Sequence, residues 1–159
     1  MDTVFKTKQG IFNYRVAGVW IEQDHLLIHR GAKDSFWSLP GGRVKLGEES
    51  ATSLVREFQE ELNVEVKAER LLWSVENFFT LNEMPFHEIG FFYQVSSPHI
   101  SRLFQKNPFH GCEGEHLIYQ WLSFEKLNSI TLHPQFLVDE LPSLPRSSKH
   151  MIIKQTSSS

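Results

Sequence analysis

The chain is poor in cysteine. A single thiol, Cys112, among 159 residues excludes an intrachain disulfide and a cysteine-rich zinc site, and it fits a reducing, cytoplasmic setting. Long apolar runs are also missing. No segment approaches the roughly 18 apolar residues of a membrane span, and Met1-Asp2-Thr3-Val4-Phe5-Lys6 lacks the basic start and apolar stretch of a secretory leader. Neither sign of charge dominates. Sixteen Lys and Arg stand against 19 Asp and Glu, a net charge of -3, and the basic residues are scattered. That pattern argues against polymeric nucleic acid as the main partner, while local charges can still hold a small anion. The eight histidines form no His-Glu-x-x-His pair, and His110 with Cys112 is isolated, so zinc is not expected. No repeat or linker divides the chain. One domain over residues 1–159 is expected, with a core at about 12–141 and a frayed tail at 155–159. A chain of this size can bury roughly 70% of its unfolded surface without disulfides.

What is present alternates between strand and helix patterns. Residues 16–21 and 25–29 are apolar runs separated by Glu22-Gln23-Asp24, which is hairpin spacing. Residues 34–42 hold Pro40, Gly41 and Gly42 and predict irregular chain whose backbone can approach a ligand closely. From about Glu48 the period becomes helical, with Ala51, Leu54, Val55, Phe58 and Leu62 forming one apolar stripe. Asn63 then suits the left-handed residue that closes a helix. Extended patterns return at 64–66 and 71–75, and after a turn at 82–85 the run 88–95 predicts an inner strand. Residues 96–114 predict a long loop, 117–122 a strand, and 134–141 a helix opened by Pro134.

The chemistry lies on the first helix. Glu57, Glu60 and Glu61 are spaced i, i+3 and i+4, so their carboxylates share one face beside the apolar stripe. Like charges at that spacing cost about 0.2–0.5 kcal/mol per pair, a cost that reverses if a hard cation sits between them. An all-oxygen donor set favours Mg²⁺ or Mn²⁺ over zinc. Arg56 can neutralise part of the cluster. A bare Arg-Glu-x-x-Glu-Glu also occurs as a solvated acidic face, so the wider pattern decides.

Gly42, five residues, Glu48, seven residues, and Arg56-Glu57-Phe58-Gln59-Glu60-Glu61-Leu62-Asn63-Val64 closely resemble the box of the Nudix hydrolase family. Asn63, in place of the closing Gly, is the one departure. At a background of roughly 5–7% per matched position, chance would give six such matches on the order of once in ten million start sites. The resemblance covers most of residues 12–141. It implies an α/β fold, an α/β/α sandwich with a mixed sheet between helices, and a metal-dependent pyrophosphohydrolase acting on a small nucleotide-type compound. By motif position it implies metal binding by Glu57, Glu60 and Glu61, a further ligand from the Gly41 carbonyl, Glu48 behind or among the ligands, and Arg56 orienting Glu57. Catalytic residues would come from Glu60, Glu61 and Arg56, with Glu115 as first candidate for an outlying base and metal ligand and Glu88 as second. Members of the family often form homodimers.

Substrate residues are less marked. Arg43, Lys45 and Arg30 are candidates for phosphate and Trp37 for base stacking, each equally readable as ordinary surface or structure. Phe78, Phe79, Phe91, Phe92 and Tyr93 are expected mainly in the core. The substrate order is ADP-ribose-like nucleoside diphosphate derivatives, then nucleoside triphosphates, then dinucleoside polyphosphates or capped RNA ends. The competing class is a nucleotide-binding module that has lost catalysis, against which the intact carboxylates speak.

Overall fold

In the computed structural model, which describes residues 1–99 and 103–155, the chain begins with strands β1 (Val4–Lys6), β2 (Ile11–Glu22), β3 (His25–Gly31) and β4 (Gly41–Arg43), followed by helix α1 (Ser50–Leu62). Strands β5 (Lys67–Leu81), β6 (Met84–Ser96), β7 (Phe109–Gly111) and β8 (Gly114–Ser123) lead to a 3-10 turn over Phe124–Ser129, helix α2 (Phe136–Glu140) and strand β9 (Lys149–Lys154). Two hairpins turn on paired positive φ angles, 49° and 59° at Gln23 and Asp24, and 51° and 65° at Asn82 and Glu83. Such pairs match the right-handed twist of the flanking strands.

The sheet runs β7-β8-β3-β2-β6-β5-β9. It is mixed, because β2 with β6 and β5 with β9 are parallel while the other pairs are antiparallel. One edge of β2 is shared by three partners. It pairs with β1 at residues 11–13, with β4 at residues 15–17, and with β3 only at Ile21↔Leu26 and Glu22↔His25. Past that short ladder β3 swings away, and the chain between them stitches the gap through Gly18 N–H to the Pro40 carbonyl (2.9 Å) and reciprocal bonds between His29 and Ser38 (2.8 and 2.9 Å). A fork therefore opens in the sheet, with Gly41 and Gly42 in it.

Side-chain alternation sends each strand's apolar residues to two faces. Val16, Trp20, Leu27, Tyr119 and Trp121 pack under Leu54, Phe58 and Leu62 of α1. Val19, Leu26, Ile28 and Leu122 pack on the other face with Leu127 of the 3-10 turn and Leu137 of α2. Helices thus cover both faces of a mixed sheet, the α/β/α sandwich expected from the sequence. Each large side chain buried this way contributes about 1.5–3 kcal/mol. Val55 packs at the margin of the α1 core and Ala51 is half-buried.

Several local expectations need correction. Residues 64–66 are not a strand; Val64 and Val66 are buried beneath α1, so their apolar character reflects packing. The irregular stretch at 34–42 ends in β4, and the loop at 96–114 contains β7, with residues 100–102 outside the described residues. The turn at 82–85 is shorter, since Pro85 already pairs with Thr80. The helix expected at 134–141 is five residues long. The 3-10 turn, β1 and β9 had not been anticipated, so the sheet extends beyond 12–141 at both ends. Of the tail, Gln155 N–H bonds the Phe78 carbonyl (2.9 Å), and residues 156–159 lie outside the described residues. No helix among the described residues is long and apolar enough to cross a membrane.

Helix α1 ends as its sequence predicts. Asn63 has φ 50° and ψ 43°, its N–H bonds the Gln59 carbonyl, and its side-chain oxygen accepts from Gln59 Nε2 at 2.9 Å. An alanine there keeps the left-handed backbone and loses the side-chain bond. Asn63→Ala should cost about 1–2 kcal/mol, and Asn63→Gly should be close to neutral; equal urea midpoints for Asn63→Ala and the parent would refute this account of the helix end.

Candidate active site

The carboxylates of α1 divide into two groups. Arg56 grips Glu48 with Nε (3.1 and 3.3 Å) and Nη2 (3.0 Å), while its Nη1 reaches Glu57 and Glu60 at 3.2 Å each. Ser53, one turn up the helix, donates its hydroxyl to Glu48 as well. These bonds hold the Glu48 carboxyl at about 2, well below the usual carboxylate range. They also use Arg56 chiefly on Glu48, with Glu57 as a lesser contact. Glu60 is half-exposed on the solvent side of the cluster.

Glu57 and Glu61 form the second group, one turn apart and within hydrogen-bonding reach of each other. Glu57 lies over Gly42, where a Cβ would stand 2.5–2.7 Å from its carboxylate atoms, so any larger residue would displace that carboxylate. Glu61 is 9% exposed and accepts a 2.9 Å hydrogen bond from the Tyr119 hydroxyl of β8. Burial pushes both carboxyls up, Glu61 to about 8, with further repulsion from Glu57 and Glu113. Burial and the Glu61 charge also raise the Tyr119 hydroxyl. The β7–β8 hairpin closes over this end of α1 through a 2.6 Å bond from Cys112 N–H to the Glu61 carbonyl.

The fork in the sheet forms a cleft of about 420 Å³ beside this pair. Gly41, Gly42, Glu57 and Glu61 line it with Arg15, Arg30, Arg43 and His29. Anionic and cationic walls thus face one space. Of the substrate candidates, Arg43 and Arg30 line the cleft, but Nη1 of Arg30 is bonded to the carbonyls of Gly31, Ala32 and Asp34 (3.1–3.2 Å). Trp37 packs against the α2-side core beneath the Arg30 guanidinium, 5.1 Å from it, and Phe36 is the aromatic that lines the cleft. Lys45 bridges to Asp2 through the backbone and is absent from the lining. Glu115 is exposed at the start of β8 and makes no hydrogen bond or ion pair with the described residues, whereas Glu113 stands near enough to act on Glu61. Glu88 sits opposite Asn13 in the sheet with its carboxylate 4.0 Å from Arg15 Nε, so its neighbours are Asn13 and arginines, not the α1 carboxylates. Arg15, His29, Phe36, Ser53 and Tyr119 were not read from the sequence. Ser53 meets Glu48 through a local contact five residues apart, whereas Arg15, His29 and Tyr119 take their places from non-local strand pairing, for which the motif spacing carries no signal.

The donor set suits a hard divalent cation. Two buried or half-buried carboxylates share one pocket wall with a backbone carbonyl at Gly41, and only oxygen atoms are offered. As they stand, no three His, Cys, Asp or Glu among the described residues converge on one point, since Glu60 is drawn to Arg56. A cation would favour the ionised carboxylates that burial disfavours. Without one, Glu61 keeps its proton up to about pH 8 against an ordinary value of 4.5, so its contribution to stability is full below about pH 4.5 and is lost as pH rises through about 8. In chelator the melting temperature should therefore fall between pH 6 and 9, by roughly 2–4 °C for each kcal/mol lost. Mg²⁺ should raise it more at pH 9 than at pH 6, and Glu61→Gln should flatten the chelator profile. A slope that survives in Glu61→Gln would place the titration elsewhere.

The chain matches solved structures along most of its length. A mutator MutT protein from Bacillus halodurans has a TM-score of 0.61 at 15% identity, covering 87% of this chain and 89% of that one. An ADP-ribose pyrophosphatase from Streptococcus suis has a TM-score of 0.53 at 16% identity, covering 88% and 98%, and a UDP-X diphosphatase has 0.54 at 17%, covering 92% and 68%. These likenesses, all below 25% identity, are likenesses of fold. A search of curated proteins finds no match. The family model for the NUDIX domain matches residues 13–143, which include the whole of α1 and every residue lining the cleft except Asp2. The chain thus belongs to the Nudix family of pyrophosphohydrolases.

Proposed function

We propose that the chain hydrolyses the diphosphate linkage of a small nucleotide derivative, with Mg²⁺ as cofactor and Mn²⁺ as a substitute. The observation that carries this is one cleft with the Glu57–Glu61 pair on one wall and arginine side chains on another. ADP-ribose-like compounds rank first and nucleoside triphosphates second as substrates; an ADP-ribose pyrophosphatase and a MutT protein both share the fold. The exposed lone Cys112 suits a reducing cytosol.

In this reading Glu57, Glu60 and Glu61, with the Gly41 carbonyl, hold the cation, and Glu48 fixes the cluster through Arg56. When bound, the cation supplies charge withdrawal from the phosphoryl oxygens and makes water more acidic. The chain's own part is to position and to move protons. Arg56 keeps Glu48 and Glu60 in place, Tyr119 sets the rotamer of Glu61, and Arg43 holds a phosphoryl oxygen. Glu61, ionised beside the cation, is the carboxylate placed to take the proton of the attacking water. Water adds to phosphorus as the bridging oxygen leaves with the departing phosphate. Glu88 and Glu115 lie outside this arrangement and are the alternatives if Glu61 only binds the cation.

The test is product release from ADP-ribose, nucleotide sugars, dinucleoside polyphosphates and nucleoside triphosphates, with Mg²⁺, with Mn²⁺ and with chelator. Turnover should need the cation, and Glu61→Gln should lower kcat by about a hundredfold or more while the circular dichroism spectrum is unchanged. Ligand binding without turnover on any compound would favour the binding module, and full activity in Glu61→Gln would remove that residue from the mechanism.

A further inference from the structure

Arg15 reaches the cleft only because β2 pairs with β4. In that antiparallel ladder Arg15 lies directly opposite Arg43, and both line the cleft that holds Glu57 and Glu61. Like charges directly opposite on neighbouring strands destabilise a sheet. Arg15 alternates with Val16, whose side chain packs under α1, and so projects on the other side of the sheet from the carboxylate helix.

Nothing in the fold neutralises the pair fully. The Arg43 Nε is buried and has no hydrogen-bond partner. The acid nearest Arg15 is Glu88, at 4.0 Å, beyond hydrogen-bonding distance, and burial pushes that carboxyl up toward its neutral form. Asp2 and Asp34 line the same cleft but form no ion pair with either arginine among the described residues. His29 lines the cleft from the α1 face, its ring 5.4 Å from that of Tyr119. It is 8% exposed and has a buried Nδ1 without a partner. Burial and the neighbouring Arg15 lower its pKa to about 4, so it is a neutral ring that adds no charge to the cleft.

We propose that Arg15 and Arg43 form a cation-independent seat for a phosphoryl group of the substrate, the one on the far side of the scissile linkage from the α1 carboxylates. Two guanidinium forks match the oxygens of a tetrahedral phosphate, and the unpaired buried Nε of Arg43 gains a partner when it binds. The name of the substrate rests on the function proposed above; the seat itself does not. Glu88 is then a placeholder acid. Its carboxylate, 4.0 Å from Arg15 Nε, competes with a phosphate for that guanidinium whenever it is ionised.

The experiment is calorimetric titration of the whole chain with inorganic pyrophosphate in excess chelator, where neither hydrolysis nor cation binding contributes. The parent should bind, Arg15→Ala should weaken binding by about tenfold, Arg15→Lys by less, and Glu88→Gln should tighten it by roughly twofold or more. Lys126→Ala, an exposed charge on the 3-10 turn, should change nothing. If Arg15→Ala does not fold, the Arg15→Lys and Glu88→Gln pair decides. With Mg²⁺ and a hydrolysed substrate, Arg15→Lys should raise KM more than it lowers kcat. Arginine-dependent pyrophosphate binding without turnover on any substrate would sustain the seat and sink the hydrolase reading. Turnover with no effect of Arg15 on pyrophosphate binding or KM, or no pyrophosphate binding in chelator, would overturn the seat.

Discussion

The structure depends on how β2 shares one edge among three partners. A strand that paired along its whole length with β3 would close the sheet and leave no cleft. Because β4 takes the middle of that edge, β3 leaves after two residue pairs and a fork opens. The wedge must be thin. At Gly41 a Cβ would stand 2.0 Å from the Val16 carbonyl oxygen, and at Gly42 it would meet Glu57, so two consecutive glycines let the backbone lie against β2 on one side and under the helix on the other. Gly41 thereby decides the gap, and Gly42 leaves room in it for the Glu57 carboxylate.

Charge is distributed around that gap by burial as much as by contact. Arg56 satisfies Glu48 so fully that its carboxyl ionises readily, while of the Glu57–Glu61 pair the first receives only Nη1, shared with Glu60, and the second receives no bond from that guanidinium. Those two sit where ionisation is disfavoured, tied to a tyrosine hydroxyl and to each other. Across the fork the imbalance is reversed, with arginines exceeding the acids that touch them. Uncompensated anions on one wall and uncompensated cations on the other cost the fold some stability.

The local parts of this arrangement could be read from residue order. The period of three and four marked α1, Asn63 marked its end, the paired apolar runs marked the β2–β3 hairpin, and the box spacing named the carboxylates. What could not be read was non-local. Arg15 looks like any charged strand residue until β4 is laid opposite it, and Tyr119 like any core aromatic until β8 is brought beside α1. Glu115 and Glu113 lie two positions apart near one turn, and the hairpin register alone decides which approaches Glu61. Val64 and Val66 misled because an apolar alternation can be buried without joining a ladder. Trp37 and Phe36 are adjacent, and alternation along the chain sends one to the core and the other to the cleft.

The bond from the Cys112 amide to the Glu61 carbonyl joins main chain to main chain. Side chains at the hairpin are therefore under little chemical constraint from it. Drift in this loop can reshape the rim of the cleft without releasing the end of α1. Two positions resist that drift: a proline at 112 would remove the donor, and any side chain at Gly111 would put a Cβ 2.4 Å from the same carbonyl oxygen. The hairpin is thus a replaceable part on a fixed mount, a place where the rim can change while the carboxylate helix stays as it is.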